Sequence, residues 1–331
     1  MIKLNHSKIT DEILLMRPIS NLKEDTIYHY TNQKGLKGII ENRNIWASNC
    51  YYLNDEKEFT LALDLLKNKI AKRMKECKKN ERTKIFLGNL QQLLESIKTA
   101  ESPVEEEHFN SFLKKQPNIF VCSFSEKKDL LSQWRAYTYG TSGYSIGFDM
   151  DKLYKCCGET FIVLPCIYKR IEQKRIVNML FSELLQAYKA INNKDNKDDY
   201  ENRLESHFKI NIYDADLMEK IEEELLWDFL VMFMMIAPTL KDSSFREEKE
   251  WRVISLFIWD HTSNVKFREG KSMLIPYLKL VFNGKENPIT EVIVGPTLHM
   301  GLAVDSTRDF VRINTMLDII VNPSKIPYRN W

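Results

Sequence analysis

Phe245-Arg246-Glu247-Glu248-Lys249-Glu250-Trp251-Arg252-Val253-Ile254-Ser255-Leu256 decides how the chain is read, because an acid-rich start runs into an apolar strand. Successive side chains alternate across a strand. The two acids stand two apart on this strand, so Glu248, Glu250 and Arg252 share one face, and Lys249, Trp251 and Val253 share the other. Like charges side by side repel, and a folded chain tolerates them at a solvated strand end or in a functional cleft. The local pattern fits both, so the choice falls to residues elsewhere.

Working outward, further runs read as strands: 26–30, 45–48, 118–125, 143–149 and 161–168 before the opening stretch, then 250–258, 272–282, 290–294 and 317–321. Leu36, Ile39 and Ile40 have helical spacing. Asp55 with Glu58 forms a capping box for a helix to about Lys78, and 83–115 reads as more helix broken at Ser102-Pro103. Asp129 to Tyr137, Glu172 to Ile191 and a stretch to about Pro238 complete the helices. Residues 192–199 are polar throughout, have nothing to bury, and read as an exposed link. Strands and helices mix without regular β-α-β alternation, so the expected class is α+β with helical insertions at about 80–115 and 170–238, in a single domain over 1–331.

Bulk properties narrow the function classes. The 331 residues carry 48 basic against 46 acidic side chains, so a net +2 gives no global field favouring nucleic acid or membrane. Six cysteines occur without a C-x-x-C pair and six histidines without H-x-x-x-H spacing, which argues against structural zinc. The first residues lack the charged and apolar regions of a secretory signal, so a cytoplasmic location with reduced thiols is expected. The greasiest run, Leu225 to Ala237, is shorter than the roughly 20 residues a membrane span needs and reads as a core helix.

Phosphate-binding loops, the dinucleotide fingerprint, the G-x-S-x-G elbow and H-E-x-x-H are all missing. Four polar clusters stay in view: Tyr28-His29-Tyr30-Thr31, Cys122-Ser123-Phe124-Ser125, Ser132-Gln133-Trp134-Arg135 and Glu248-Lys249-Glu250. Each also has a plain structural reading. His29 can be a core histidine bonded to a carbonyl, Ser123 and Ser125 one half-polar strand face, and Trp134 with Arg135 a packing knot.

In order along the chain, Tyr28-His29-Tyr30-Thr31, Leu53-Asn54-Asp55, Ser123-Phe124-Ser125-Glu126, Leu131-Ser132-Gln133-Trp134-Arg135-Ala136-Tyr137, Gly147-Phe148-Asp149, Glu248-Lys249-Glu250-Trp251-Arg252, Ile293-Val294-Gly295-Pro296 and Ser324-Lys325-Ile326-Pro327-Tyr328-Arg329 resemble the DUF2971 family. That family is related to the ADP-ribosyltransferase fold. The opening cluster is also similar to the start of DNA-modifying ADP-ribosyltransferase toxins. The resemblance implies a split mixed β-sheet core and NAD as substrate, with a nucleic acid or protein as acceptor. It further implies a toxin-like or phage-defence effector with an antitoxin or inhibitory partner.

By the same resemblance, His29 holds the adenosine-side ribose with Tyr30 and Thr31 as further NAD-binding residues beside it, Ser123 and Ser125 line the nicotinamide side, and Glu250 grips the other ribose. Glu248 is then the acceptor-side acid, which crowding by Glu250 would help to keep its proton. Arg135 can pair with the pyrophosphate, Gln133 lies beside it, and Tyr30, Trp134 or Tyr137 can stack on nicotinamide. Two other classes stay open: a nucleotide-binding sensor or interaction module without turnover, and a nuclease whose Glu248, Glu250 and Asp149 hold a divalent cation.

Overall fold

Strands covered on both faces lose the alternation that marks a half-exposed strand. That is the state of β3 (Phe120–Ser125), β4 (Gly143–Asp149) and β6 (Glu250–Ser255), in which nearly every side chain is buried. They form the centre of a mixed, open sheet with β1 (Thr26–Asn32), β2 (Asn44–Asn49), β5 (Phe161–Pro165), β7 (Lys266–Glu269), β8 (Leu274–Val281), β9 (Ile289–Val294) and β10 (Ile320–Pro323). The computed structural model describes residues 6–16, 25–52, 56–78, 81–95, 97, 119–137, 143–192, 217–255, 264–282, 287–317 and 319–327.

The strand order is β10-β9-β4-β1-β3-β2-β8-β7, with β6 on β3 and β5 on β6. All these pairings are antiparallel except that of β10 with β9. The sheet forks at β3. Its whole length from Val121 to Ser125 pairs with β6 along one edge. The other edge is therefore shared: β1 takes it at Ser125, and β2 takes it at Val121 and Phe120. One branch continues through β1, β4, β9 and β10, and the other through β2, β8 and β7.

The chain divides into two compact units, and this sheet belongs to the one made of residues 17–53, 118–166 and 243–331. Among the described residues four helices accompany it: α2 (Gln33–Asn42), α5 (Leu131–Tyr137), α6 (Met150–Cys157) and α9 (Met300–Thr315). The Asn32 side chain caps α2 by accepting from the Gly35 N–H, and Asp149 caps α6 by accepting from Lys152. The face of α2 that packs inward is Leu36, Ile39 and Ile40, as the spacing requires.

The other unit comprises residues 1–16, 54–117 and 167–242, and its described residues are mostly helical. It holds α1 (His6–Met16), α3 (Glu56–Glu76), α4 (Arg82–Glu95), α7 (Arg170–Ile191) and α8 (Leu217–Ile236). Phe86 of α4 stacks on Tyr188 of α7 at 3.9 Å between ring centroids. The buried Gln173 side chain donates to the carbonyls of Ile167 and Lys241, fastening the start of α7 to the segment after α8. Residues 170–238, read from sequence as an insertion, fall wholly within this unit. The greasy run Leu225–Ala237 is buried throughout apart from the half-buried Asp228, and no described helix is long and apolar enough to cross a membrane.

Several boundaries differ from the sequence reading. The strand from Phe161 stops at Pro165, where the Cys166 N–H turns to the Glu250 carbonyl. Asp129 does not cap a helix: α5 starts at Leu131, and the Asp129 carboxylate accepts instead from the Trp134 indole, the Ser324 hydroxyl and the Lys325 N–H. The Asp55 cap, the helix beyond 97, the polar link 193–199 and Tyr328-Arg329 lie outside the described residues.

Gly295 is a close-approach position. A Cβ there would stand 2.9 Å from the Gly143 carbonyl oxygen and 2.9 Å from the Trp134 ring. Gly295→Ala is expected to lose about 1–3 kcal/mol of stability, read as a lower urea midpoint with an unchanged slope.

Candidate functional site

Residues directly opposite on neighbouring strands share a face of the sheet. Tyr28 pairs with Ser125, Ser125 with Glu250, and Ser123 with Arg252. One polar face therefore carries Tyr28 and Tyr30 from β1, Ser123 and Ser125 from β3, and Glu250 and Arg252 from β6. His29 alternates to the opposite face with Phe124 and Trp251. Its ring lies 5.6 Å from that of Phe124.

His29 has a different task from its neighbours. Ser123 sits between the two pairings that β1 and β2 make with β3, where the shared edge has no ladder partner among the described residues. The half-buried His29 fills that gap: its Nδ1–H donates to the Ser123 carbonyl at 2.9 Å, with the Cys122 Sγ 3.7 Å from the same nitrogen. Because a carbonyl only accepts, Nδ1 carries the proton in the neutral ring. Burial lowers the pKa of His29 against the opposing pull of the Ser123 bond, so the ring is neutral at pH 7.

Alternation ends at Glu250. Residues Ser243–Glu248 form a 3-10 turn, and Lys249 has a left-handed φ of 43° before β6 begins. The expectation that Glu248 and Glu250 lie side by side on a strand face is corrected by this turn, and with it the like-charge crowding that was to favour a proton on Glu248. The Glu248 contact to the hydroxyl strand is through its backbone: the Ser125 hydroxyl donates to the Glu248 carbonyl at 2.5 Å and accepts from the Lys127 N–H at 3.0 Å. Ser125 thus braces the turn, while the Ser123 side of the strand is half-exposed.

Glu250 is held by Arg252, two residues on and on the same face. The guanidinium Nε donates to Oε1 at 2.8 Å and an Nη to Oε2 at 3.2 Å, in the two-pronged geometry that fixes both groups. Both side chains are buried, with 4% of Arg252 and 6% of Glu250 accessible. Cys50, just after β2, is near enough to Arg252 to feel its charge. Burial nevertheless pushes its thiol up to about 12, with backbone N–H bonds and Arg252 pulling the other way. Burial raises Cys122 too. Neither is a thiolate at neutral pH, so neither is a ready nucleophile.

The aromatic candidates divide. Tyr30 donates its phenol to the Lys127 carbonyl at 2.6 Å, accepts from Leu130 N–H at 3.0 Å, and meets Trp134 edge-on at 4.8 Å. Burial keeps that phenol protonated. Trp134 is buried with Tyr28, Tyr30 and Ile293, so its ring is a core element rather than a presented platform. Gln133 is also buried, Thr31 is half-buried beside Gly35, and Arg135 and Tyr137 stand exposed on α5. Among the described residues no three His, Cys, Asp or Glu side chains converge as metal ligands. Asp149, one of the acids considered for a cation, is instead the cap of α6. What sequence reasoning missed is the pairing of Arg252 with Glu250 and the place of Cys50. The first was signalled by the Glu-x-Arg spacing on a strand.

Residues 133–253 match the family model DUF2971, described as a protein of unknown function. The DUF2971 match includes Gln133, Trp134, Arg135, Tyr137, Glu248, Glu250 and Arg252, whereas His29, Ser123 and Ser125 precede it. No curated protein and no solved structure matches the chain.

Two outcomes test this geometry. Arg252→Met is expected to cost about 3–5 kcal/mol, because it leaves a buried carboxylate unpaired, and adding Glu250→Leu should restore most of the loss; urea unfolding of the two variants measures this. Because the folded pKa of His29 lies below its ordinary 6.5, the unfolded chain binds more protons in acid. The His29 contribution is therefore complete above about pH 6.5 and is lost as pH falls through the folded value. His29→Gln should flatten the part of the stability profile that falls as pH drops below about 6.5.

Proposed function

We propose that the chain is an NAD-dependent ADP-ribosyltransferase acting on a nucleic acid or protein acceptor. The observation that carries this reading is the forked sheet, with Ser123, Glu250 and Arg252 on one face beside the fork and His29 wedged in it. Cleavage breaks the bond between nicotinamide nitrogen and ribose C1′. The bonding pair leaves with the neutral nicotinamide, and the ribose carbon becomes cationic. A carboxylate fixed in place before the reaction stabilises that charge without reorganising. Glu250 suits the role because the two-pronged bond from Arg252 orients it. The acceptor then bonds to C1′ and loses a proton, for which Glu248, one left-handed residue upstream of β6, is the proposed base.

A second reading is favoured by one feature of the same site. Both oxygens of Glu250 are bonded to a buried guanidinium, which suits a module that binds a nucleotide and does not turn it over. Nicotinamide release distinguishes the two. With NAD and cell lysate, the transferase should release nicotinamide and label an acceptor, and Glu250→Gln should lower the rate by about 100-fold or more. Saturable NAD binding by calorimetry with no nicotinamide released would replace the first reading with the second.

A further inference from the structure

The face of β2, β8 and β7 that continues the polar face has a composition the site does not use. Ser48 pairs with Val121 of β3 and with Tyr277 of β8, Trp46 pairs with Lys279, and Tyr277 pairs with Lys266 of β7. Cross-strand partners share a face, so Trp46, Ser48, Tyr277, Lys279, Lys266 and Arg268 stand together. Asn44, Ile275 and Val281 complete this face of the three strands, which therefore carries three cations and no acid. On β2 and the second half of β8 the opposite face is core, with Ile45, Ala47, Leu278 and Leu280 buried, whereas Leu274 at the start of β8 and Phe267 of β7 are exposed.

The aromatic pair is prearranged. Trp46 stacks on Tyr277 with centroids 4.2 Å apart and planes 24° from parallel, and its indole N–H donates to Asn44 Oδ1 at 3.1 Å. One side of the indole is covered by Tyr277, yet Trp46 is 42% exposed, so its other side is the presented one. Lys279 and Lys266 are exposed, and Arg268 is steadied by a bond to the Ser48 hydroxyl at 3.2 Å. Lysine on an edge strand also discourages unwanted strand pairing. That accounts for Lys266 on β7, but it does not explain a tryptophan held flat and open two strands inward.

We propose that this surface binds single-stranded nucleic acid, with an unpaired base stacked on Trp46 and the backbone phosphates met by Lys279, Lys266 and Arg268. A flat aromatic face among cations, unopposed by acids, is the combination that holds a single strand without reading its sequence. In a duplex the base faces are already stacked on each other and closed to the indole. The same face of the sheet continues through the buried Ser48 and Val121 to Ser123 and Arg252, which places this surface on the side of the sheet that carries the proposed reaction centre. Binding stands on this surface alone; only the role of the strand as acceptor rests on the transferase reading.

Fluorescence anisotropy with labelled single-stranded DNA and RNA of about twelve nucleotides, without NAD, tests it. Saturable binding is expected, weakened about tenfold or more by Trp46→Ala. Lys279→Glu should also weaken it, and should make the fall of log affinity with log salt shallower by about 0.7 for each phosphate no longer neutralised. Lys279 is exposed, so that variant keeps the test valid if Trp46→Ala proves unstable in a thermal melt. Tighter binding of DNA or of RNA names the sugar, and either supports the proposal. It is overturned by the absence of binding at low salt, by equal affinity for a duplex, by wild-type affinity in both variants, or by displacement with an equal concentration of mononucleotide. A lack of nicotinamide release would sink the transferase reading and leave this one standing.

Discussion

One strand edge shared between two neighbours governs the sheet. β3 offers a single edge to both β1 and β2, and neither reaches Ser123. A buried backbone carbonyl without a partner costs free energy comparable to a lost hydrogen bond. The imidazole of His29 removes that cost, which makes a side chain from β1 part of the hydrogen bonding of β3. The two branches can then diverge without leaving the strand between them unsatisfied. Ser125 does the equivalent work at the end of the same strand, bracing the turn that precedes β6. The polar face beside the fork is a product of these bonds and not an independent addition.

The Glu250 and Arg252 pair is governed by a different balance. Desolvating two charges is costly, and their attraction in the interior repays it only with good geometry. The two-pronged contact supplies that geometry. Such a pair adds little stability over well-packed apolar residues but heavily penalises any arrangement that separates its members. It ties the start of β6 to one orientation.

Much of the sheet was legible in the sequence because its strands are apolar runs closed by Gly, Pro or polar residues. Gly143–Asp149 carries the same bounds in the sequence reading and in the fold. The helical face of α2 was equally plain from three apolar positions. The error lay in extending alternation through Lys249: a positive φ at a lysine is rare, and nothing in the local composition announces it. Core and platform aromatics were also indistinguishable. Trp134 lies between the polar Gln133 and Arg135 and Trp46 between the apolar Ile45 and Ala47, yet it is Trp134 that is closed off by Tyr30 and Ile293 and Trp46 that rests on Tyr277 with a side to spare. That difference arises from strands far apart in sequence. The fork was hidden for the same reason, since it depends on which three strands meet β3.

The Asp129 carboxylate joins α5 to residues that the ribosome delivers much later. Its bonds to Ser324 and Lys325 span 195 and 196 positions, and Tyr28 reaches 263 positions to Glu291. Closing such long loops must precede the contacts that reward it, which slows folding. A nascent chain that has emerged only as far as residue 288 can pair β4 with β1 but has no β9 to cover its other side. Until synthesis passes that point, the centre of the finished sheet is an exposed apolar edge, the kind of surface that chaperones hold and that aggregation recruits.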